Sequence, residues 1–218
     1  MKLHGFWRSS ATWRVRIALA HKRVDYTYVP LDLLGRGEQR GPEHHRRNPM
    51  EQVPVLELSA DEAGGGPVHL AQSVAILEYL EERFPAPPLL PGDAVARARV
   101  RQLVEVVNSG IQPLQNAGIQ RHLAALGVDS EAWIRHFVGR GLRALEEMTA
   151  PVAGRFSVGD QLSFADLMLV PELAFARRFG VELGAMPTLL RIEAACEGLG
   201  CFQVSRPELQ PDAPREPR

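Results

Sequence analysis

The sequence predicts a two-part protein: an α/β part over residues 1–84 in the order βαβ–ββα, a linker over 85–92, an all-α part over 93–206 and an extended tail over 207–218. Three observations predict it. The stretch Phe84-Pro85-Ala86-Pro87-Pro88-Leu89-Leu90-Pro91-Gly92 is a break, because proline stops a helix and stiffens an extended spacer. Before it, short alternating segments interleave with segments of helical period. After it, apolar residues recur at helical spacing almost throughout.

In the first part, residues 2–6 read as a strand. Residues 12–22 read as a helix with two apolar rows, Trp13/Ile17/Ala20 and Val15/Ala18/Leu19, and two rows imply cover on more than one side. Residues 26–31 alternate as a second strand, and 35–47 are polar and loosely patterned, a weak helix or a loop. Residues 53–58 and 67–70 form a hairpin around Gly64-Gly65-Gly66. Residues 73–84 are a helix with Ile76, Leu77, Leu80 and Phe84 on one stripe.

In the second part, Asp93 caps a helix carrying Ala96, Val100, Leu103, Val104 and Val107 on one face, and Pro113 ends or kinks it. Further helices run to about Leu126, over 130–148 and over 188–197. Leu162-Ser163-Phe164-Ala165-Asp166-Leu167 carries a capping box, Ser163 as N-cap and Asp166 as the reciprocal acid, so Asp166 is assigned to structure. Pro171 bends that helix. Residues 207–218 hold four prolines and few large apolar residues, which predicts an extended or mobile tail.

Composition narrows the function classes. At 45% hydrophobic and 23% charged residues the chain suits a globular protein with a substantial core. No apolar run exceeds four residues, far short of the about 20 that span a membrane or the about 7–15 of a secretory signal. Met1-Lys2-Leu3-His4-Gly5-Phe6 therefore reads as the start of the working fold, and a cytoplasmic setting is expected. Cys196 and Cys201 lack metal or redox spacing and read as two reduced, mostly buried thiols. A net charge of −1 argues against bulk binding to nucleic acid or an anionic membrane. The charge is unevenly spread: Lys2, Arg8, Arg14, Arg16, Lys22 and Arg23 fall in residues 1–24, which contain no acid. His44-His45-Arg46-Arg47 reads as a solvated basic loop, and no metal site is expected.

Three local patterns can carry chemistry. Arg8-Ser9-Ser10-Ala11-Thr12-Trp13-Arg14 lies between the first strand and its helix, where unpaired N–H groups and the positive dipole end favour an anion. In Gln52-Val53-Pro54, the proline must sit at a strand start or edge, which leaves the N–H and C=O of Val53 for an extended peptide. Gln72-Ser73 opens another helix, whose N–H groups and hydroxyl suit a carboxylate. Taken singly, each is explained by ordinary capping or a turn.

Together, and in this order, the three patterns strongly resemble the glutathione transferase fold, a thioredoxin-like domain followed by an all-α domain, and in detail its zeta class. The resemblance spans nearly the whole chain. It is carried by Arg8-Ser9-Ser10, Trp13-Arg14-Val15-Arg16, Asn48-Pro49-Met50, Gln52-Val53-Pro54, Gln72-Ser73, Ile111-Gln112-Pro113-Leu114-Gln115-Asn116, Arg178-Phe179 and Gln210-Pro211-Asp212. It implies reduced glutathione in a cleft between the domains, with Val53 pairing to the tripeptide backbone. Gln72 and Ser73 would hold its γ-glutamyl end, Gln39 its glycyl end, and Ser9 and Ser10 its thiol, with Gln112 and Asn116 bordering the pocket. Arg178 and Arg8 would meet substrate carboxylates or an enolate, Arg178 and the two serines forming the catalytic set. The implied reaction is a cis-trans isomerisation of maleylacetoacetate to fumarylacetoacetate in aromatic amino-acid breakdown, by thiolate addition, rotation and elimination. Members of this family are usually homodimers.

Such chemistry needs a thiolate at neutral pH. A thiol titrating near 8.5 is only about 3% ionised at pH 7, and lowering that by about two units takes roughly 2.7 kcal/mol of preference for the anion. A hydroxyl hydrogen bond to an anion supplies about 1.5–3 kcal/mol and a helix start about 0.3–1 kcal/mol, so Ser9 and its helix suffice. Ala11 stands where many class members carry Cys, which disfavours thiol-exchange chemistry and leaves isomerisation intact, with maleylpyruvate as an alternative substrate. A general conjugating or dehalogenating transferase is a second enzyme reading. A non-catalytic binding module is a third, disfavoured because a scaffold has no use for Ser9, Val53, Gln72 and Ser73.

Overall fold

The computed structural model describes residues 1–214 and divides into two compact units, Met1–Pro87 joined by the segment from Leu199 on, and Pro88–Gly198. Strand β1 (Lys2–Gly5), helix α1 (Ser10–His21) and strand β2 (Thr27–Pro30) make the first crossover. Helix α2 (Pro42–Arg47), strand β3 (Val55–Leu58), the single-turn helix α3 (Ala60–Ala63), strand β4 (Val68–Ala71) and helix α4 (Ser73–Arg83) complete the expected βαβ–ββα order. The sheet has four strands in the order β2-β1-β3-β4, with β1 and β2 parallel and the other pairs antiparallel. Leu3 pairs with Leu56 and Leu56 with Leu70, so the apolar alternation of β1 and β3 falls on one buried face.

Helix α1 justifies its two apolar rows. It packs on α4 and on helix α11 (Gly200–Val204), and Val15, Ile17, Ala18 and Leu19 are fully buried. The glycines between β3 and β4 serve differently from a plain hairpin turn: Ser59 and Glu62 form a capping box on α3, and Gly64 closes it at φ 69°. That positive φ is cheap only for glycine.

The second unit is built from helices, with an irregular stretch over 150–163. Asp93 caps α5 (Ala94–Glu105), accepting from the Ala96 N–H at 2.8 Å. Pro113 does not end that helix. The chain passes through a π-helical turn at Val106–Ile111 before Pro113 falls in the first turn of α6 (Gln112–Gln115), where its missing N–H costs nothing. Helices α7 (Ala117–Ala125), α8 (Ser130–Thr149), α9 (Phe164–Arg178) and α10 (Pro187–Glu197) follow. The expected capping box opens α9. The buried Asp166 accepts from the Ser163 N–H at 2.8 Å, the Ser163 hydroxyl at 3.0 Å and the Ser157 N–H at 2.7 Å. Burial pushes its carboxyl above the ordinary range, against the pull of those bonds. Pro171 lies inside α9, which continues to Arg178.

Two expectations need correction. The helical part ends at Gly198 rather than near 206, because the segment from Leu199 on returns to the α/β unit, where the Trp13 indole donates to Ser205 Oγ at 3.1 Å. The tail is also not simply extended: Pro207–Leu209 is a 3₁₀ turn, and Asp212 accepts from the Trp7 N–H at 2.9 Å. The extended tail expected from the sequence also takes in residues 215–218, which lie outside the described residues. Cys196 is buried and Cys201 half-buried, both as free thiols.

Candidate active site

The start of α1 is set by a close approach. A Cβ on Gly5 would collide with the Thr12 side chain, so only glycine lets the end of β1 come this near the helix. Ser9 N–H then donates to Phe6 O at 3.0 Å, turning the chain, and Ser9 becomes the N-cap, its Oγ accepting from the Thr12 N–H at 3.2 Å. The Ser9 hydroxyl proton therefore remains a donor. Ser10 opens the helix and is buried, and the first turn carries no acid. This helix end thus keeps its positive dipole uncompensated.

The basic residues nearby are not a solvated face. Arg14, Arg16 and Lys22 are buried. Lys22 Nζ pairs with Glu81 at 2.6 Å and donates to the carbonyls of Phe84 and Pro87, so it belongs to the end of α4. Arg16 is spent on the carbonyls of Trp7 and Ser205. Arg8 is exposed and lies over the Trp7 ring, 5.5 Å from its centroid.

The basic loop expected at 44–47 is instead the helix α2, and His44 is buried. His44 Nε2 donates to Gln52 O at 2.9 Å, and Asn48 Nδ2 donates to the same oxygen at 2.8 Å. Two donors on one carbonyl fix the peptide that leads into Val53. The Val53–Pro54 peptide bond is cis, and the paired part of β3 begins only at Val55. Val53 thus precedes the ladder.

At the third pattern, Gln72 holds φ 71° with no cap bond from its exposed side chain. A non-glycine residue in that region is a strained conformation of the kind functional sites retain. Ser73 is buried, and its Oγ accepts from Arg14 Nη1 at 3.3 Å, which places a cation under the start of α4. Gln39, on the turn Glu38–Arg40, is buried, and its Oε1 has no hydrogen-bond partner among the described residues.

In the helical unit, Gln112 and Asn116 meet: Gln112 Nε2 donates to Asn116 Oδ1 at 3.2 Å. Gln115 Nε2 donates both to Gln112 Oε1 at 3.2 Å and to the buried Glu172 Oε2 at 2.9 Å. Along this row each amide nitrogen donates to the next oxygen, with Glu172 at the accepting end. The Asn116 amide then presents its N–H₂ as a donor. Arg178 is exposed at the end of α9, six residues beyond Glu172 or about 9 Å of helix rise, and its guanidinium lies over Phe175 and Phe179 at 4.8 and 5.2 Å. Sequence reasoning missed Arg14, His44, Gln115 and Glu172. Only the Gln-Pro-Leu-Gln-Asn run hinted at Gln115, and no local pattern pointed to Glu172.

Comparison with known proteins extends these observations. The family described as "Glutathione S-transferase, N-terminal domain" matches residues 1–82. Over its whole length the chain is similar to the maleylacetoacetate isomerase of Rattus norvegicus, 44% identical over 218 residues, which cover 99% of this chain and 96% of the relative. Among solved structures it is similar to maleylacetoacetate isomerase from Anaeromyxobacter dehalogenans 2CP-1 with GSH bound in the active site. That match has a TM-score of 0.89 at 51% identity, covering 98% of this chain and 97% of the other. A maleyl pyruvate isomerase in its holo form, described as a bacterial glutathione S-transferase in the zeta class, matches with a TM-score of 0.91 at 40% identity over 98% and 100% of the two chains.

Proposed function

The chain belongs to the maleylacetoacetate isomerase family, the zeta class of the glutathione S-transferases, and from that membership we propose a glutathione-dependent cis-trans isomerase that converts maleylacetoacetate to fumarylacetoacetate in aromatic amino-acid breakdown. The observation that carries the chemistry is the Ser9 hydroxyl, which caps α1 through its oxygen and keeps its proton to donate at a helix start with no acid in the first turn.

The residues present fit a γ-glutamyl tripeptide. Val53, ahead of the ladder, offers a peptide N–H and C=O. Gln72 and Ser73 at the start of α4, with Arg14 beneath, suit an α-amino acid end. The unpartnered Gln39 Oε1 suits a peptide N–H near the glycyl end. When bound, glutathione supplies the thiolate that adds to the cis double bond and leaves after rotation.

The chain's own residues do the rest. Ser9, with Ser10 beside it, donates to the sulfur and holds it unprotonated, helped by the α1 dipole. Gln112 and Asn116, faced by the Glu172 row, present amide donors to negative oxygen. Arg178, stacked on Phe175 and Phe179, supplies a fixed cation for a substrate carboxylate, with Arg8 as a second.

The test is to offer the protein both cis-diketo acids with glutathione and follow the substrate's absorbance. Glutathione-dependent loss with trans product supports the reading, conjugate formation without isomerisation favours a general transferase, and binding without turnover leaves a module. Maleylpyruvate is the second substrate reading, favoured by the 0.91 TM-score to an isomerase of that acid and by Ala11. We further propose a homodimer in the cytoplasm, a setting that accommodates two free cysteines; sedimentation of the purified chain tests the dimer.

A further inference from the structure

We propose that Asp212 is a positioning residue for the Ser9 loop: it clamps, together with Arg16, the backbone N–H and C=O of Trp7, two residues ahead of the hydroxyl. This rests on the proposed role of Ser9 and assigns the C-terminal segment a part in it.

The loop between β1 and α1 is short. Its single turn, with Trp7 inside it, is closed by the bond from Ser9 N–H to Phe6 O at 3.0 Å. The backbone of Trp7 is held on both of its peptide groups. Its N–H donates to Asp212 Oδ2 at 2.9 Å, and its C=O accepts from Arg16 Nη2 at 2.9 Å. Arg16 lies on α1, seven residues after Ser9, so the guanidinium ties the loop to the helix that Ser9 caps. The same guanidinium donates through Nε to Ser205 O at 3.1 Å, joining the loop to the C-terminal segment as well.

Asp212 is itself fixed. The Tyr28 hydroxyl of β2 donates to the same Oδ2 at 3.4 Å, and Asp212 Oδ1 has no hydrogen-bond partner among the described residues. The segment leading to it is pinned at Ser205, whose Oγ accepts from the Trp13 indole and donates to Phe202 O at 3.2 Å. One carboxylate oxygen thus joins β2, the loop before Ser9 and the segment that follows α11. A hydroxyl that must meet a sulfur gains from such a hold, since a misplacement of about 1 Å is enough to cost catalysis heavily.

The experiment compares the full-length protein with Asp212→Ala and Asp212→Asn. Asparagine keeps an acceptor for the Trp7 N–H and loses the charge; alanine loses both. In Asp212→Ala, kcat should fall about tenfold, with the KM for glutathione within about twofold and the pH profile of the bound thiol displaced upward. Amides of residues 6–10 should exchange faster, and Asp212→Asn should restore most of the turnover. Asp212→Ala with unchanged turnover, thiol titration and exchange overturns the clamp. So does equal impairment of both variants, which would make Asp212 only a counter-charge for Arg16. Should the alanine variant not fold, exchange in the unaltered protein decides: the Trp7 amide should be protected like those of α1, and exchange at the rate of an open loop overturns the proposal. If the unaltered protein shows no isomerisation, the proposed function falls while the exchange measurement still judges the clamp.

Discussion

Ser9 and Ser163 each cap a helix in this protein, α1 and α9, and the two helix starts are built for opposite ends. At α9, Ser163 and Asp166 close the helix start from within: the carboxylate takes up the Ser163 N–H and hydroxyl and reaches to Ser157, and the whole arrangement is buried. At α1, Ser9 accepts a single bond from Thr12, no acid follows, and Ser9 is only half-buried. A helix start that satisfies itself is a folding device. One that leaves its positive end without an internal anion is prepared for an external one. The serine is the same, and the residue three positions later makes the difference.

The largest expected effect is on the closed start. Asp166→Ala strands buried donors at Ser163 and Ser157 and should cost about 3 kcal/mol of stability, lowering the melting temperature by about 6–12 °C in a calorimetric scan. Glutathione affinity of the folded fraction should not change; a loss of binding would erase the contrast between the two helices. Next is Ser9→Ala, which should lower kcat about 30-fold, equivalent to about 2 kcal/mol, while stability falls by only about 1 kcal/mol. Steady-state kinetics beside urea unfolding would separate the two, and near-normal turnover would remove Ser9 from the chemistry.

A smaller effect follows from giving α1 the acid it lacks. Ala11→Asp should steady the helix by about 0.5 kcal/mol and raise the pKa of the bound thiol, cutting turnover at neutral pH roughly fivefold. The lost rate should return at alkaline pH, and a pH-independent loss would point to simple obstruction. The smallest concerns acid stability. Hydrogen bonds from Lys2 and His4 hold the Glu57 carboxyl down at about 2, from an ordinary 4.5. Its stabilising effect is complete above its ordinary range and fades as pH falls through the folded value. Asp166 is raised by burial, so its contribution runs the other way, present in acid and lost as pH rises. Glu57→Gln should therefore flatten the acid limb of stability, and an unchanged limb would move that role elsewhere.

Both serine starts were legible in the sequence because capping is local: Ser163 with Asp166 three residues on, and Ser9 ahead of a helical pattern. The βαβ–ββα order and the helical second part were legible for the same reason, since period and proline are read within a few residues. What escaped was set by distant chain. Arg14 meets Ser73 across 59 residues, Gln115 meets Glu172 across 57, and Trp7 meets Asp212 across 205. A buried arginine on an apolar row and a solvated one look alike until the partner is known. His44 read as part of a solvated basic run because its carbonyl partner, at Gln52, belongs to a loop whose course no local pattern predicts. Pro113 misled for the opposite reason: the rule that proline stops a helix is sound, but the π-helical turn before it had already reset the chain.

The return of the chain at Leu199 makes Pro88–Gly198 an insertion within the α/β unit. Synthesis on the ribosome therefore delivers every residue of the helical unit before the α/β unit has received α11 and the Asp212 segment. The usual order, in which an N-terminal domain is finished first, is reversed. A fragment ending at Pro87 would lack the partners of Trp13, Arg16 and Trp7, so nascent chains should acquire glutathione-binding competence only once the segment through Asp212 has been made and can pack back.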